Sequence, residues 1–165
     1  MKYIKTFEKI KNFGNIIFLD IDGVLIPYDE HTQKIHEYFN EDYKWNKESI
    51  KYLNELVKEM DAKIILTSSY RKKYTKNQIN KKLKKEGFKG EVIDFTEAIK
   101  HEDRWFEILK WMNNNNLNKY IILDDEENDN IKKHFPDNFV ECNHHYGFTE
   151  DDYKKALKLL TLNSD

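Results

Sequence analysis

Four aspartates carry the most specific chemistry in this chain: Asp20 and Asp22 in "FLDIDGVL", and Asp124 with Asp125 in "IILDDEEND". Each pair follows an apolar run, so each sits where a buried strand would end. The i, i+2 spacing keeps Asp20 and Asp22 on one side of an extended backbone, and Gly23 then permits a sharp departure of the chain. Brought together, four carboxylates repel one another unless a cation lies among them. Oxygen-only ligands suit a hard ion that keeps several waters, which makes Mg²⁺ the expected cofactor and Asp20, Asp22, Asp124 and Asp125 its expected ligands. A metal-held carboxylate is a good nucleophile toward a phosphoryl group. A second one can protonate the leaving oxygen and later activate water.

Something must hold these acids at one place. Three apolar, β-rich runs, "NIIFLDID" (15–22), "KIILTSS" (63–69) and "YIILDDE" (120–126), read as strands buried on both faces, and all three close on oxygen-bearing side chains. Weaker strands are expected at 91–95 and 138–142. Between them lie segments of helical spacing: 47–60 with Ile50, Leu53, Leu56 and Val57 on one face, and 102–113 with Trp105, Ile108, Leu109 and Met112. A basic helix at 75–86 and a final helix at 150–161, opened by a Thr149/Asp152 capping box, complete the count. Alternating strands and helices predict an α/β, Rossmann-like, doubly wound and mainly parallel sheet of five strands in one domain spanning 1–165. In such a sheet ligands bind outside the carboxyl ends of the strands, where the aspartates and the Thr67, Ser68 and Ser69 hydroxyls converge.

The order of these motifs resembles that of the haloacid dehalogenase (HAD) superfamily phosphohydrolases: a strand ending DxDG, a second ending in Ser or Thr, a later Lys or Arg, and a fourth strand ending DD. Here "FLDIDGVL", "IILTSS", "HEDRWFEI" and "IILDDEEND" supply them over residues 15–130. More narrowly, "TSSYR", "RWFEILKWM" and "GFTEDDYKKAL" look like the small HAD domains of nucleic-acid repair proteins. The resemblance implies a Mg²⁺-dependent phosphomonoesterase working through an aspartyl-phosphate. Asp20 would be the nucleophile and Asp22 the acid and base. Thr67 would hydrogen-bond the transferred oxygens, with Ser68 or Ser69 able to take over that duty. Arg104 would be the cation that neutralises phosphoryl charge, with Lys100 as the alternative. Asp129 sits where other members have their last acid.

About forty residues separate the first two motifs and some thirty the next two, too few for a full cap domain, so a minimal cap and an open site are expected. That favours a phosphorylated nucleic-acid end over a small metabolite such as a nucleotide or sugar phosphate; a catalytically silent binding module is the further alternative. Beside the site "YRKKYTKNQINKKLKKEGFK" is strongly basic, and with Tyr70 and Tyr74 it reads as a track for a phosphate backbone and its bases, Arg71 touching substrate. The overall charge of -2, from 28 Lys and Arg against 30 Asp and Glu, implies no global pull toward nucleic acid or membrane. One cysteine, Cys142, and no long apolar stretch point to a cytoplasmic chain with no obligate protein partner evident. His144 and His145 lack the partner spacing of a zinc site and read as surface or substrate-contact residues.

Overall fold

The computed structural model describes residues 12–28, 43–126 and 130–162. Strand β1 (Asn15–Leu19) is the centre of the sheet, and Ile16 to Leu19 are wholly buried, because layers of helix cover both its faces. It pairs in parallel with β2 (Ala62–Leu66) on one side and β4 (Tyr120–Asp124) on the other; β3 (Val92–Phe95) and β5 (Phe139–Glu141) lie outside these. The order β3-β2-β1-β4-β5 is all parallel and doubly wound.

Alternate residues of β1 feed two cores. Ile17 and Leu19 join helices α1 (Lys47–Met60), α2 (Lys76–Lys85) and α5 (Glu150–Leu162), while Ile16 and Phe18 join α3 (Arg104–Asn114) and α4 (Asn130–His134). From β1 the chain first steps to β2 and β3, then returns to β4 and β5 on the other side. With crossovers of one hand, that reversal moves the helices to the opposite face. It also opens a crevice between the ends of β1 and β4, the place where such sheets bind ligands.

Local signals account for the helices. Asn46 caps α1, its side chain accepting from the Glu48 and Ser49 amides at 2.9 and 3.2 Å, an arrangement worth about 1 kcal/mol. Thr149 and Asp152 form the expected box at the start of α5: the Thr149 amide donates to Asp152 at 2.9 Å and the Asp152 amide to Thr149 at 3.3 Å.

Three differences from the sequence reading concern the site. The three strong strands stop two or three residues before their polar ends, at Leu19, Leu66 and Asp124, although single amide bonds carry the pairing one residue further, to Asp20 and Thr67. A short 3-10 turn (Ser69–Lys72) follows β2, and α4 is an element that the sequence pattern does not predict. The stretch 29–42, on which the cap reading bears, and Asp129 lie outside the described residues. Among the described residues no helix is long and apolar enough to cross a membrane.

Candidate active site

Strand register alone brings the candidate residues into line. Leu19 pairs with Leu66 and with Leu123, so one step further along the sheet places Asp20 between Thr67 and Asp124. Two ladder bonds extend this far: the Thr67 amide donates to the Leu19 carbonyl at 2.9 Å, and the Asp20 amide to the Leu123 carbonyl at 3.0 Å. After Asp20 the chain folds back tightly, the Ile21 carbonyl accepting from the amides of Val24, Leu25 and Ile26. Gly23 sits at φ +71°, and a Cβ there would lie 2.0 Å from Asp125 Oδ2. Only glycine lets the first turn and the fourth strand's second acid approach so closely.

Arg104, the first residue of α3, enters from the other face of the sheet. Its Nη1 donates to Asp20 Oδ2 and Asp124 Oδ2, both at 2.6 Å, so one guanidinium bridges the ends of the two central strands. Although burial works against its charge, these two carboxylates hold its pKa well above the ordinary arginine value. Lys100 lies on the rim of the same crevice, exposed.

Carboxylate oxygens of Asp20, Asp124 and Asp125 lie within 4.8 Å of one another. One arginine cannot balance three such acids in a buried place. Burial, followed by the charge of Asp20 and then Asp124, pushes Asp125 up to about 8. Burial likewise raises Asp124 to about 7, against the pull of Arg104. The donor set is all oxygen and lacks positive charge, and on both counts it fits a hard divalent cation. Asp22, expected from the sequence as a further ligand, stands outside this group. Its Oδ1 accepts from the Tyr70 hydroxyl at 3.3 Å, and burial together with Asp20 pushes its pKa up to about 8.

At the end of β2, Thr67 Oγ1 and Ser68 Oγ are fully buried and have no hydrogen-bond partner among the described residues. A buried hydroxyl without a partner costs about 1–3 kcal/mol, so both would gain from an oxygen-bearing partner, although of this segment it is Ser69 that lines the crevice. Arg71 also lines the crevice but is heavily engaged. Its Nε donates to the Thr96 carbonyl at 2.9 Å, Nη1 to the Thr67 carbonyl and Nη2 to Glu107 Oε2 at 2.5 Å, while Glu107 Oε1 accepts from the Ile99 amide at 2.8 Å.

The crevice, about 580 Å³, is lined by Asp20, Asp22, Ser69, Arg71, Arg104, Asp124 and Asp125 of the expected residues, and by Tyr28, Lys72 and His101, which the sequence does not single out. Burial and the nearby charges of Asp125, Asp22 and Asp20 raise the Tyr28 phenol, and its ring meets His144 edge-on at 5.4 Å. Nothing in "IPYDEH" sets Tyr28 apart as a crevice residue. Glu107 does carry a signal, its i+3 spacing from Arg104, but the structure gives it Arg71 as partner. The expectation that Tyr70 stacks a base is corrected: its ring is wholly buried and lies against Tyr74, because the 3-10 turn directs it under the crevice. A larger cavity of about 850 Å³ lies at the opposite end of the sheet, beside Ala62, Lys84 and Glu91, and among the described residues it holds no comparable acid cluster.

Comparison with protein-family models gives a match over residues 16–153 to the HAD domain in Swiss Army Knife RNA repair proteins. The chain belongs to this family. The match takes in strands from all five positions of the HAD sheet, each aspartate of the crevice, Thr67 and Arg104. Searches of curated proteins and of solved structures returned no match.

Proposed function

We propose that this HAD domain is a Mg²⁺-dependent phosphomonoesterase that works through an aspartyl-phosphate on Asp20 and acts on phosphorylated nucleic-acid ends. The observation that carries the reading is the bridge from Arg104 to both Asp20 and Asp124, with Asp125 completing a three-carboxylate group. Asp20, Asp124 and Asp125 would hold the cation. When bound, it would neutralise charge on the phosphoryl oxygens and on the attacking carboxylate.

Asp20 attacks phosphorus as the bond to the leaving oxygen breaks. Asp22 gives that oxygen its proton, then takes one from the water that cleaves the aspartyl-phosphate. Burial raises the Asp22 carboxyl above its ordinary range, the direction that favours the protonated form the first of these tasks requires. Arg104 holds the nucleophile and faces the charge that develops on the phosphoryl group, the kind of preorganised donor whose removal costs about 10²–10³-fold. The Thr67 and Ser68 hydroxyls supply donors for the transferred oxygens.

The nucleic-acid part of the reading rests on the family and on the basic run. Lys72 opens that run at the crevice, and α2 carries Lys81, Lys84 and Lys85, all exposed, toward the far end of the sheet. Lys82 is occupied with Glu86 at 2.9 Å. The test is a panel of terminally phosphorylated oligonucleotides, mononucleotides, sugar phosphates and phosphopeptides, each with Mg²⁺ and with excess chelator. Chelator-sensitive release of phosphate from oligonucleotide ends in preference to the rest is the expected result. Preference for a mononucleotide or sugar phosphate would reassign the substrate, and inertness toward all would point to a binding module.

A further inference from the structure

We infer that Tyr70 is a positioning residue for Asp22: its buried hydroxyl occupies one carboxyl oxygen and leaves the other to serve the leaving group. This rests on the phosphomonoesterase reading given above and extends it to a residue outside the four motifs.

Tyr70 is wholly buried although its neighbours Ser69 and Arg71 line the crevice. Its backbone is fixed by the 3-10 turn, where its carbonyl accepts from the amides of Lys73 and Tyr74, both at 3.0 Å. Its ring is fixed by the core and by Tyr74, with centroids 6.1 Å apart and planes inclined by 27°. A phenol so held has little freedom, and it donates to Asp22 Oδ1 at 3.3 Å. Asp22 comes from a different element, the turn after β1, and is itself 6% exposed. The bond therefore ties the turn after β1 to the turn after β2.

With Oδ1 taken, the proton is delivered from and returned to Oδ2. In the first half-reaction the Oδ2 proton passes to the ester oxygen as its bond to phosphorus breaks and the bond from Asp20 forms. In the second, water gives a proton to Oδ2 as its oxygen attacks phosphorus and the acyl-phosphate bond from phosphorus to Asp20 breaks, restoring both side chains. A carboxyl free to rotate would present either oxygen at several angles, and proton transfer depends on geometry before anything else. The leaving group reads this role directly. An alkyl ester, whose alkoxide is a poor leaving group, needs the proton far more than a nitrophenyl ester does.

The experiment compares wild type, Tyr70→Phe, Asp22→Asn and the double variant, on 4-nitrophenyl phosphate and on a simple alkyl phosphate with Mg²⁺. Tyr70→Phe keeps the buried ring, and its melting temperature is measured alongside. The expected result is a loss of about tenfold in kcat/KM, which reports phosphoryl transfer to Asp20, on the alkyl ester and at most about twofold on the nitrophenyl ester, a fraction of the ~10²–10⁴ that acid–base help commonly supplies. The double variant should be no slower on the alkyl ester than Asp22→Asn alone. Fluorotyrosine at position 70, which restores the donor, should return the ratio of the two rates to the wild-type value. Equal losses in kcat/KM on both esters, or losses that multiply in the double variant, overturn the inference and leave Tyr70 a packing residue. A wild type inert toward both esters overturns the phosphomonoesterase reading and this one with it.

Discussion

Two arginines lie along one crevice and do opposite things. Arg71 is matched: side chains 5% and 7% exposed bring it to Glu107, and carbonyls of Thr67 and Thr96 take its remaining bonds. Arg104 is outnumbered, since it faces Asp20 and Asp124 together and Asp125 stands beside them. A balanced buried pair gains little by admitting a ligand, and losing either partner strands a charge. An unbalanced cluster gains from every cation that enters. Burial and ion pairing look alike in the two places, and only the count of charges separates them.

The most damaging way to break this contrast is at the acid side. Asp20→Asn should bring phosphate release down to the level of buffer and abolish any acid-stable labelled phosphoenzyme. Near-normal turnover would remove Asp20 as nucleophile. Next, Arg104→Ala should lose about 10²–10³-fold in turnover while Lys100→Ala stays within a few fold, since only Arg104 touches both carboxylates. The reverse order would transfer the role to Lys100. Arg71→Ala inverts the pattern: stranding Glu107 should cost about 3–5 kcal/mol of stability, read as a lowered urea midpoint with unchanged slope. An unaffected midpoint would mean that the pair is not structural.

A subtler difference appears with pH. Folding raises Asp22 and Asp125 to about 8 and Asp124 to about 7 from an ordinary 3.8, so the folded chain binds more protons than the unfolded one in the window between. Their contribution to stability is therefore complete below about pH 4 and is lost as pH rises through 7 to 8. Metal-free melting temperature should fall across that range, and Mg²⁺, which takes the deprotonated acids, should raise it more at pH 8 than at pH 6. A Mg²⁺ effect independent of pH would separate the metal from these carboxylates. Smallest of all, Lys72→Gln with Lys81→Gln should flatten the salt dependence of oligonucleotide binding by about 0.7 in log–log slope for each phosphate no longer neutralised. Turnover of a small aryl phosphate should hardly change, and an unaltered slope would reduce the basic run to surface.

How far the sequence could lead follows from which forces are local. Runs such as "NIIFL" and "YIILD" are legible because a strand covered on both faces must be apolar throughout, and the 47–60 helix because its face repeats. Helix α4 has five residues and one buried side chain, Ile131, too short for any period to show. Polar strand ends look like strand, since nothing in "LDID" tells the last paired residue from the first that turns away. At the site, three of the four motifs are readable as acids and hydroxyls at strand ends, and the remaining one as a cation that opens a helix. The partnership of Arg71 with Glu107 is not, because the two lie on different elements and Arg104 offers Glu107 a nearer helical neighbour. Tyr70 misleads for a similar reason: an aromatic among lysines suggests a base, whereas its position on the 3-10 turn makes it core.

The central place of β1 also governs when the crevice can exist. Its two partners are β2, next in the chain, and β4, reached only after β2, β3 and the helices between them are complete. During synthesis, then, Asp20 emerges early and waits for Arg104 and Asp124, and the pairing that unites them closes the longest loop in the central sheet. Contacts of such sequence separation form slowly. Until then the nascent chain carries its acids apart, with no assembled cluster to capture a metal ion or phosphate.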